Sequence, residues 1–577
     1  MSSATLTNNH TTTASHQKLI GVFLVVGLLM RCSRYLMNFP LWEDECFLVV
    51  NYIDRGYLEL LEPLRYHQVA PVFFLWIELT AVKLFGYHEF ALRAFPFVCS
   101  IVGLFLFIHL AKRLLSGPAL VIAVGIFAVS YPNMRYAAEA KQYASDMLVG
   151  LLLLTMCVEW WHCHTSTTEE IRHRPGRWLW GLVIFLPVAI GLSYPAVFSA
   201  GAVSLFVAIT LLNHETTDGE SAISRIGSLF KQKRFHTWLT YNVILLGSFL
   251  AVLMFAAKEQ SSAELDWMSQ YWSNAFPPVS TPGQLPKWLL ATHCGQLLAF
   301  PLGGNNYASS FTTLCVLIGG IALIRRNKRL AVLLLTPALL HLIAAALHRY
   351  PYGGHFKFSM HVAGVICLLS GFGAALLLDA IGRLTRTQKQ TLTLATAYLL
   401  LIASGSVVRD IKSPYKTESD MRARSFAQWF WFSTSYQGTS VCVENDLGII
   451  MTPEARTELS FTSMYQANKA IYSPEQRTSL KGLKVTPNHP LRCVIYRDPR
   501  FEFDQALFDR WLSEMESRLE LVSRDEFVFP RFAKYQSHAD GDVPKMTDYA
   551  EIYKFVPKNS QQKYVFKNAL KLGSTLR

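Results

Sequence analysis

The chain has 577 residues, 51% of them hydrophobic and 13% aromatic, with a mean hydropathy of +0.23 and a formal net charge of +13. That balance is too apolar for an ordinary soluble enzyme and fits a multi-span membrane protein. The Lys and Arg residues fall in short clusters between apolar runs rather than along one stripe, which argues against nucleic-acid binding, and the 10 Cys form no CxxC pair, so neither a zinc site nor a disulfide framework is indicated.

Residues 1–18 are rich in Ser, Thr and Asn and read as a disordered cytoplasmic tail. A first span of about 18 residues follows over Leu19–Met37; no small-residue cleavage site comes after it, so it reads as an uncleaved anchor. Arg31 and Arg34 lie in its final third, where a long cation either snorkels to the interface or receives a lipid phosphate. The stretch Leu41–Glu45, LWEDE, then places Glu43, Asp44 and Glu45 in consecutive positions at the mouth of the span. Carboxylates there sit beside low-dielectric surroundings that raise their pKa and can meet a lipid-borne substrate, although a solvated loop acid accounts for the same residues.

Ten more apolar runs follow: Phe90–Leu110, Pro118–Tyr131, Tyr143–Trp160, Leu179–Tyr194, Ala196–Leu212, Trp238–Ala256, Phe311–Ile324, Leu330–Leu347, Met360–Ala380 and Thr391–Ser404. With the first, these predict an α-helical polytopic membrane protein of about 11 transmembrane helices. Val69–Gly86 carries Glu78 and Lys83 and is either a further span or a helix lying at the interface. Charge placement chooses the second. Only if Val69–Gly86 does not cross do Lys112/Arg113, the Arg172–Arg177 group, the Arg225–Arg234 group, the Arg325–Arg329 group and the Arg383–Lys389 group fall together on the cytoplasmic side.

With the N-terminus in the cytoplasm, the outer side receives residues 38–89, 131–142, 193–195, 258–310, 348–359 and everything after about Arg409. The tail is polar and reads as a soluble α/β domain, giving a division into 1–18, a membrane domain 19–407 and an outer domain 408–577. GTSVCVEN, LRCVIYRD and YAEIYKFV read as strands, Pro453–Ala467 and Asp504–Leu519 as helices, and Cys442 and Cys493 as either a bridge or two buried thiols.

Several outer segments carry groups that can do chemistry. The first outer loop adds Arg65, Tyr66, His67 and Gln68 to Asp44 and Glu45. In the 131–146 turn, Arg135 and Glu139 are spaced for an i,i+4 pair, Lys141 and Tyr143 lie nearby, and Asp146 begins an apolar run, where an acid normally faces the bundle interior. The turn ALHRYPYGGHFKFSM groups Arg349, Tyr352, His355 and Lys357 around Gly353–Gly354, which permits positive φ and a phosphate cradle. Asp266, Trp267, Tyr271 and Trp272 in the loop after residue 258 suit either sugar stacking or an interfacial belt. The sequence CVEWWHCH, Cys157–His164, matches no strong ligand pattern and lies at the predicted inner end.

LWEDE after the first span, RYHQVAPVFFLWIELTAVKLFGYHEFALRAFP, YAAEAKQYASD and RYPYGGHFKFSM together resemble the membrane-integral GT-C glycosyltransferases. The nearest branch is the one that holds the protein O-mannosyltransferases and the lipid A aminoarabinose transferases. The resemblance covers roughly Leu19–Ala380. It implies interfacial helices in the first outer loop and an inverting transfer of a sugar from a polyprenyl-phosphate donor to a glycan, lipid or protein acceptor on the non-cytoplasmic face. It also implies that Asp44 is the general base and that Glu45 orients the acceptor or the base. Arg135, Lys141, Arg349, His355 and Lys357 can neutralise the leaving phosphate, with Arg65, His67, Glu139, Tyr143, Asp146 and Tyr352 completing the substrate contacts. Relatives often carry Arg in the last turn, where this chain has His355 followed by Lys357. Some relatives use a divalent metal, but no convincing ligand set stands out here. The scattered Cys favour a bacterial inner membrane, with the tail in the periplasm. The competing class is a transporter or flippase of a lipid-linked sugar; an internal repeat would favour it, and none is visible in the hydropathy.

Overall fold

The computed structural model describes residues 13–53, 55–65, 68–165, 175–212, 233–259, 270–385, 388–416, 420–421, 424–425, 440–441, 484–497, 504–528, 549–558 and 563–565. Residues 1–12, Tyr66, His67, Asp266, Trp267, Cys442 and the expected helix over Pro453–Ala467 lie outside them. The chain divides into two compact units, one of residues 1–38 and 57–412, the other of residues 39–56 and 413–577.

The helices in chain order are α1 (Ala14–Leu36), α2 (Glu43–Val49), α3 (Val72–Phe85), α4 (Glu89–Leu114), α5 (Gly117–Val129), α6 (Tyr131–Arg135), α7 (Tyr143–Thr165), α8 (Pro175–Leu192), α9 (Ala196–Leu212), α10 (Lys233–Glu259), α11 (Leu285–Thr292), α12 (Ser310–Arg326), α13 (Lys328–Ala346), α14 (Ala363–Thr385), α15 (Gln388–Lys412) and α16 (Gln505–Arg518). Every predicted apolar run is a helix, but the span count differs. Among the described residues, 7 helices are long and apolar enough to cross a membrane, and α5 with α6, bent by 44°, make an eighth if taken as one span. The apolar parts of α8 and α9, Gly176–Leu192 and Ala196–Leu212, are shorter. At about 1.5 Å per residue they reach roughly 26 Å, somewhat less than the hydrocarbon thickness. Helix α3 has 14 residues and is shorter still; it lies along α4 and α8, with Phe74 against Phe95 at 5.9 Å and Phe73 against Gly191.

In the first unit, hydrogen bonds between turns gather at one end of the bundle. Tyr35 Oη donates to Phe90 O, joining the end of α1 to the start of α4, and Ser145 Oγ donates to Leu192 O, joining the start of α7 to the end of α8. Arg34 pairs with Asp410 at 2.5 Å, bringing in the end of α15. Tyr131 N–H donates to Pro301 O and Tyr352 N–H to Ala275 O, adding the 270–309 and 348–362 segments. At the other end, Glu159 of α7 accepts from Arg113 of α4 and lies 2.7 Å from His109 Nε2, and Arg234 of α10 lies against His164. Between the ends, glycines let helices touch backbone to backbone: a Cβ on Gly373 of α14 would strike the Cys315 carbonyl of α12.

The bend between α5 and α6 has an identifiable cause. Pro132 has no N–H, so the Ala128 carbonyl four residues earlier loses its helical partner. Tyr131 N–H is turned away to Pro301, which likewise leaves Phe127 O without its helical donor. Arg31 fills the gap. Its Nη1 donates to Ala128 O at 2.9 Å and to Gly27 O at 2.9 Å, its Nε to Ser100 Oγ at 2.9 Å, while Asn133 Nδ2 donates to Phe127 O at 3.0 Å. Arg31 is fully buried and Arg34 is held by Asp410. Neither snorkels, and Arg31 is committed to backbone carbonyls rather than to a lipid phosphate, because satisfying a broken helix inside an apolar bundle demands a donor there.

The second unit has a four-stranded sheet in the order β1-β3-β5-β4, built from Ser440–Val441 (β1), Leu491–Arg497 (β3), Tyr549–Pro557 (β5) and Leu519–Val528 (β4); Lys484–Val485 (β2) pairs with Tyr564–Val565 (β6). Strand β1 runs parallel to β3, and the other pairings of this sheet are antiparallel. Helix α16, capped by the Asp504 carboxylate, buries Phe508, Trp511 and Met515; Phe508 meets the Tyr553 ring and Trp511 the Phe555 ring of β5. Cys493 is buried in the middle of β3.

Arg31→Met removes the donor to Ala128 O inside the bundle, so it is expected to lower unfolding free energy by about 2–4 kcal/mol. Equilibrium unfolding in mild detergent measures it, and an unchanged midpoint would contradict the role given to Arg31.

Candidate functional site

The chain leaving the bend at Ser130 runs through α6 and a 3-10 turn into α7, carrying the 131–146 cluster on the way. Arg135 and Glu139 form the expected pair at 2.9 Å, both buried. The guanidinium also sits over the Tyr136 and Phe356 rings, at 5.4 and 5.5 Å. Lys141 is 4% exposed, and its Nζ donates to Gln68 Oε1 at 2.6 Å, which ties this turn to the segment preceding α3. Asp146 is 2% exposed in the first turn of α7; Ser193 faces its carboxylate, and Oδ1 has no hydrogen-bond partner among the described residues.

The 348–362 segment packs onto the same end. Gly354 has φ +75°, and a Cβ there would lie 3.3 Å from Ala275 Cβ and 3.5 Å from the Trp272 ring, while a Cβ on Gly353 would meet Thr292. The glycine pair is therefore needed for close packing against Thr292, Ala275 and Trp272, a reason for the two glycines that is independent of any ligand. Tyr352 Oη donates to His293 Nε2 at 3.1 Å, because His293 Nδ1–H is used on Leu289 O at 2.8 Å. Burial holds His293 below the usual imidazole pKa and pushes Tyr352 up to about 12, so this pair stays neutral.

His355 caps the 3-10 turn Phe356–Val362: its Nδ1 accepts from Lys357 N–H at 3.1 Å and lies 3.4 Å from Tyr136 Oη. Lys357 extends over ring faces, with Nζ 4.6 Å from the Trp272 centroid, 5.4 Å from Phe358 and 5.8 Å from Tyr143. Tyr136 and Tyr143 are themselves 4.7 Å apart. Two turns more than 200 residues apart thus deliver Arg135, His355 and Lys357 to one set of rings, with Lys141 on the same turn. Arg349 is not part of this group. It is exposed and makes no side-chain ion pair or hydrogen bond among the described residues. Arg65 is half-buried, with its carbonyl accepting from Gln68 N–H.

Asp44 and Glu45 belong to the second unit. LWEDE begins α2, where acids in a first turn complement the exposed N–H groups. Glu45, 1% exposed, reaches back to accept from Trp42 N–H at 3.2 Å. It is a helix cap, which competes with the orienting role that the resemblance implies. Asp44 is half-buried beside it, and the Lys416 ammonium lies over the Trp42 ring.

No residue spacing in the sequence singles out Tyr136, Phe356 and His293, and Trp272 fits an interfacial belt as well as a site. Their only signal is aromatic and imidazole density inside predicted outer turns. Among the described residues no group of three His, Cys, Asp or Glu side chains is placed to hold a metal.

Neither family models nor curated proteins match the chain. Among solved structures, ArnT from Cupriavidus metallidurans bound to undecaprenyl phosphate aligns with a TM-score of 0.47 and 13% identity over 94% of this chain and 98% of that one. The apo state of the same protein gives a TM-score of 0.48 and 13% identity over the same shares. The archaeal oligosaccharyltransferase AglB from Archaeoglobus fulgidus, in complex with an inhibitory peptide and a dolichol-phosphate, gives 0.40 and 13% over 81% of this chain and 65% of that one. At these scores and identities, what the chain does has to be read from its own residues.

Gly354→Ala places a side chain in the left-handed region and against Trp272. It is expected to destabilise the protein by roughly 1–2 kcal/mol, seen as a lower thermal midpoint in detergent. An unaltered midpoint would mean the turn is not held as described.

Proposed function

We propose that the protein is an inverting glycosyltransferase that moves a sugar from a polyprenyl-phosphate carrier to an acceptor on the non-cytoplasmic face of the membrane. The observation that carries this reading is the gathering of Arg135 and Lys357 among aromatic faces at one end of an apolar bundle, with Lys141 on the same turn as Arg135. Cations in such surroundings attract anions more strongly than cations in water, and the anion native to a bilayer surface is a lipid phosphate. The phosphate becomes a good leaving group once its charge is neutralised. In the transfer, the acceptor oxygen bonds to the anomeric carbon as the bond to the phosphate oxygen breaks; the electron pair leaves with the lipid phosphate, and the hydroxyl proton goes to a carboxylate.

Asp44 is the carboxylate we assign as that base. The assignment rests on its place after the first span, as in the GT-C enzymes that the sequence resembles, and on Glu45 being engaged as the α2 cap. Arg135, fixed by Glu139, and Lys141, fixed by Gln68, are poised without reorganisation and suit the stabilisation of developing phosphate charge. The acceptor can be a glycan, a lipid or a protein, and the 408–577 segment is proposed as an outer domain that serves it. The bacterial inner membrane remains the proposed location.

Purified protein given a labelled polyprenyl-phosphate sugar and an acceptor extract is expected to release the lipid phosphate and label the acceptor. Asp44→Asn is expected to slow transfer by about 10²–10⁴-fold at an unchanged thermal midpoint. Wild-type rates in that variant would remove Asp44 from the mechanism, and absence of lipid-phosphate release by the wild-type protein would remove the reading.

A further inference from the structure

One histidine outside the cation cluster has a position that the transfer reading leaves unused. His341 lies within α13, fully buried, on a helix whose other residues nearby are Leu, Ile and Ala. A histidine on such a face is most simply a satisfied core residue. This one reaches off its own helix instead: Nε2–H donates to Pro351 O at 2.7 Å. That bond fixes the tautomer, since a carbonyl can only accept.

Its ring holds a column of neighbours. It stacks on Phe198 of α9 at 5.3 Å and 12°, and it meets the rings of Tyr350, Tyr352 and His361 at 5.1, 4.8 and 4.9 Å. His361 is anchored in turn, since a Cβ on Gly150 of α7 would run into its carbonyl oxygen. The segment carrying Lys357 is therefore pinned from residue 349 onward. Arg349 N–H bonds to Ala344 O at 2.8 Å, Pro351 O accepts from His341, and Tyr352 N–H bonds to Ala275 O at 2.9 Å. Next come Gly353 and Gly354 against Thr292 and Trp272, and then the His355 cap on Lys357 N–H. Among these pins, the one on the Pro351 carbonyl comes from a side chain of another helix, and Pro351 has no N–H by which it could be held instead.

We propose that His341 is a positioning residue for Lys357: by holding the Pro351 carbonyl it sets the path of the 351–357 segment and so the place of the ammonium that meets a lipid phosphate. The inference rests on the reading of Lys357 as a phosphate contact. Cation placement to within a fraction of an ångström decides how well an anion is bound, so loss of the pin acts on binding without His341 touching the ligand.

Two substitutions separate the ring from the donor. His341→Phe keeps the stack on Phe198 and loses the bond to Pro351; His341→Gln keeps an N–H donor at a similar reach and loses the ring. The probe is undecaprenyl phosphate without sugar, titrated into full-length protein in detergent, with thermal midpoints recorded alongside and Lys357→Ala as the reference. Expected is a roughly tenfold weaker Kd in His341→Phe, with a shift towards that of Lys357→Ala, and recovery to near wild type in His341→Gln. If Lys357→Ala binds as tightly as wild type, or wild type does not bind, the phosphate reading falls and this inference with it. If Lys357→Ala weakens binding and His341→Phe does not, the positioning role alone is overturned. Equal weakening in both His341 variants overturns it too, since the ring and not the donor would then matter.

Discussion

The arrangement of the first unit depends on one backbone defect and its repair. Pro132 interrupts α5 and α6 within the apolar bundle, where no water can satisfy the carbonyls it leaves behind, and Arg31 and Asn133 satisfy them instead. With that repair, residues 131–146 fold back across the bundle end and carry Arg135, Glu139, Lys141 and Asp146 to buried positions. The buried charge of Arg31 is tolerated because its Nε finds the Ser100 hydroxyl and its Nη1 the Gly27 and Ala128 carbonyls.

The same requirement shapes the cations themselves. Arg135 is held by Glu139 and by two ring faces, Lys141 by Gln68, and Lys357 by three ring faces. Ring faces attract a cation while remaining poor competitors for a phosphate, and they keep a lysine extended in a low-dielectric setting. The site is thus prepared before a ligand arrives, which is the condition under which electrostatic stabilisation contributes most to a transfer step. His293 and Tyr352, neutral and bonded to each other, brace the turn without adding charge.

Much of the helical framework was legible because apolar runs are local features. The i,i+4 spacing of Arg135 and Glu139 likewise foretold their pair. What the sequence could not show were contacts between residues far apart in the chain. Arg31 reads as a snorkelling or phosphate-binding cation until Ala128, 97 positions later, is seen to need its donor. Gly353–Gly354 reads as a ligand cradle, whereas the close approach it allows is to Thr292 and Trp272. Glu45 reads from the resemblance as orienting the acceptor or the base, and the local role it has in the structure, capping α2, was not part of that reading. Arg349 clusters with Lys357 in sequence, yet it points to an exposed position. His341 gave no signal, since a single imidazole in an apolar helix has no pattern. The shortness of α8 and α9 was already in the apolar runs: α9 covers Ala196–Leu212 from end to end, and α8 stops at Leu192, where the turn to α9 begins.

The central claim is that a lipid phosphate meets the cations at this end of the bundle. A polyprenyl phosphate bearing a photoactivatable group next to the phosphate, crosslinked to the purified protein and mapped by peptide mass spectrometry, tests it directly. The account predicts adducts on residues 135–143 and 352–358 that excess unlabelled lipid phosphate suppresses. Adducts confined to the opposite end, around Arg113, Glu159 and Arg234, or spread without competition along the lipid-facing helices, would contradict it.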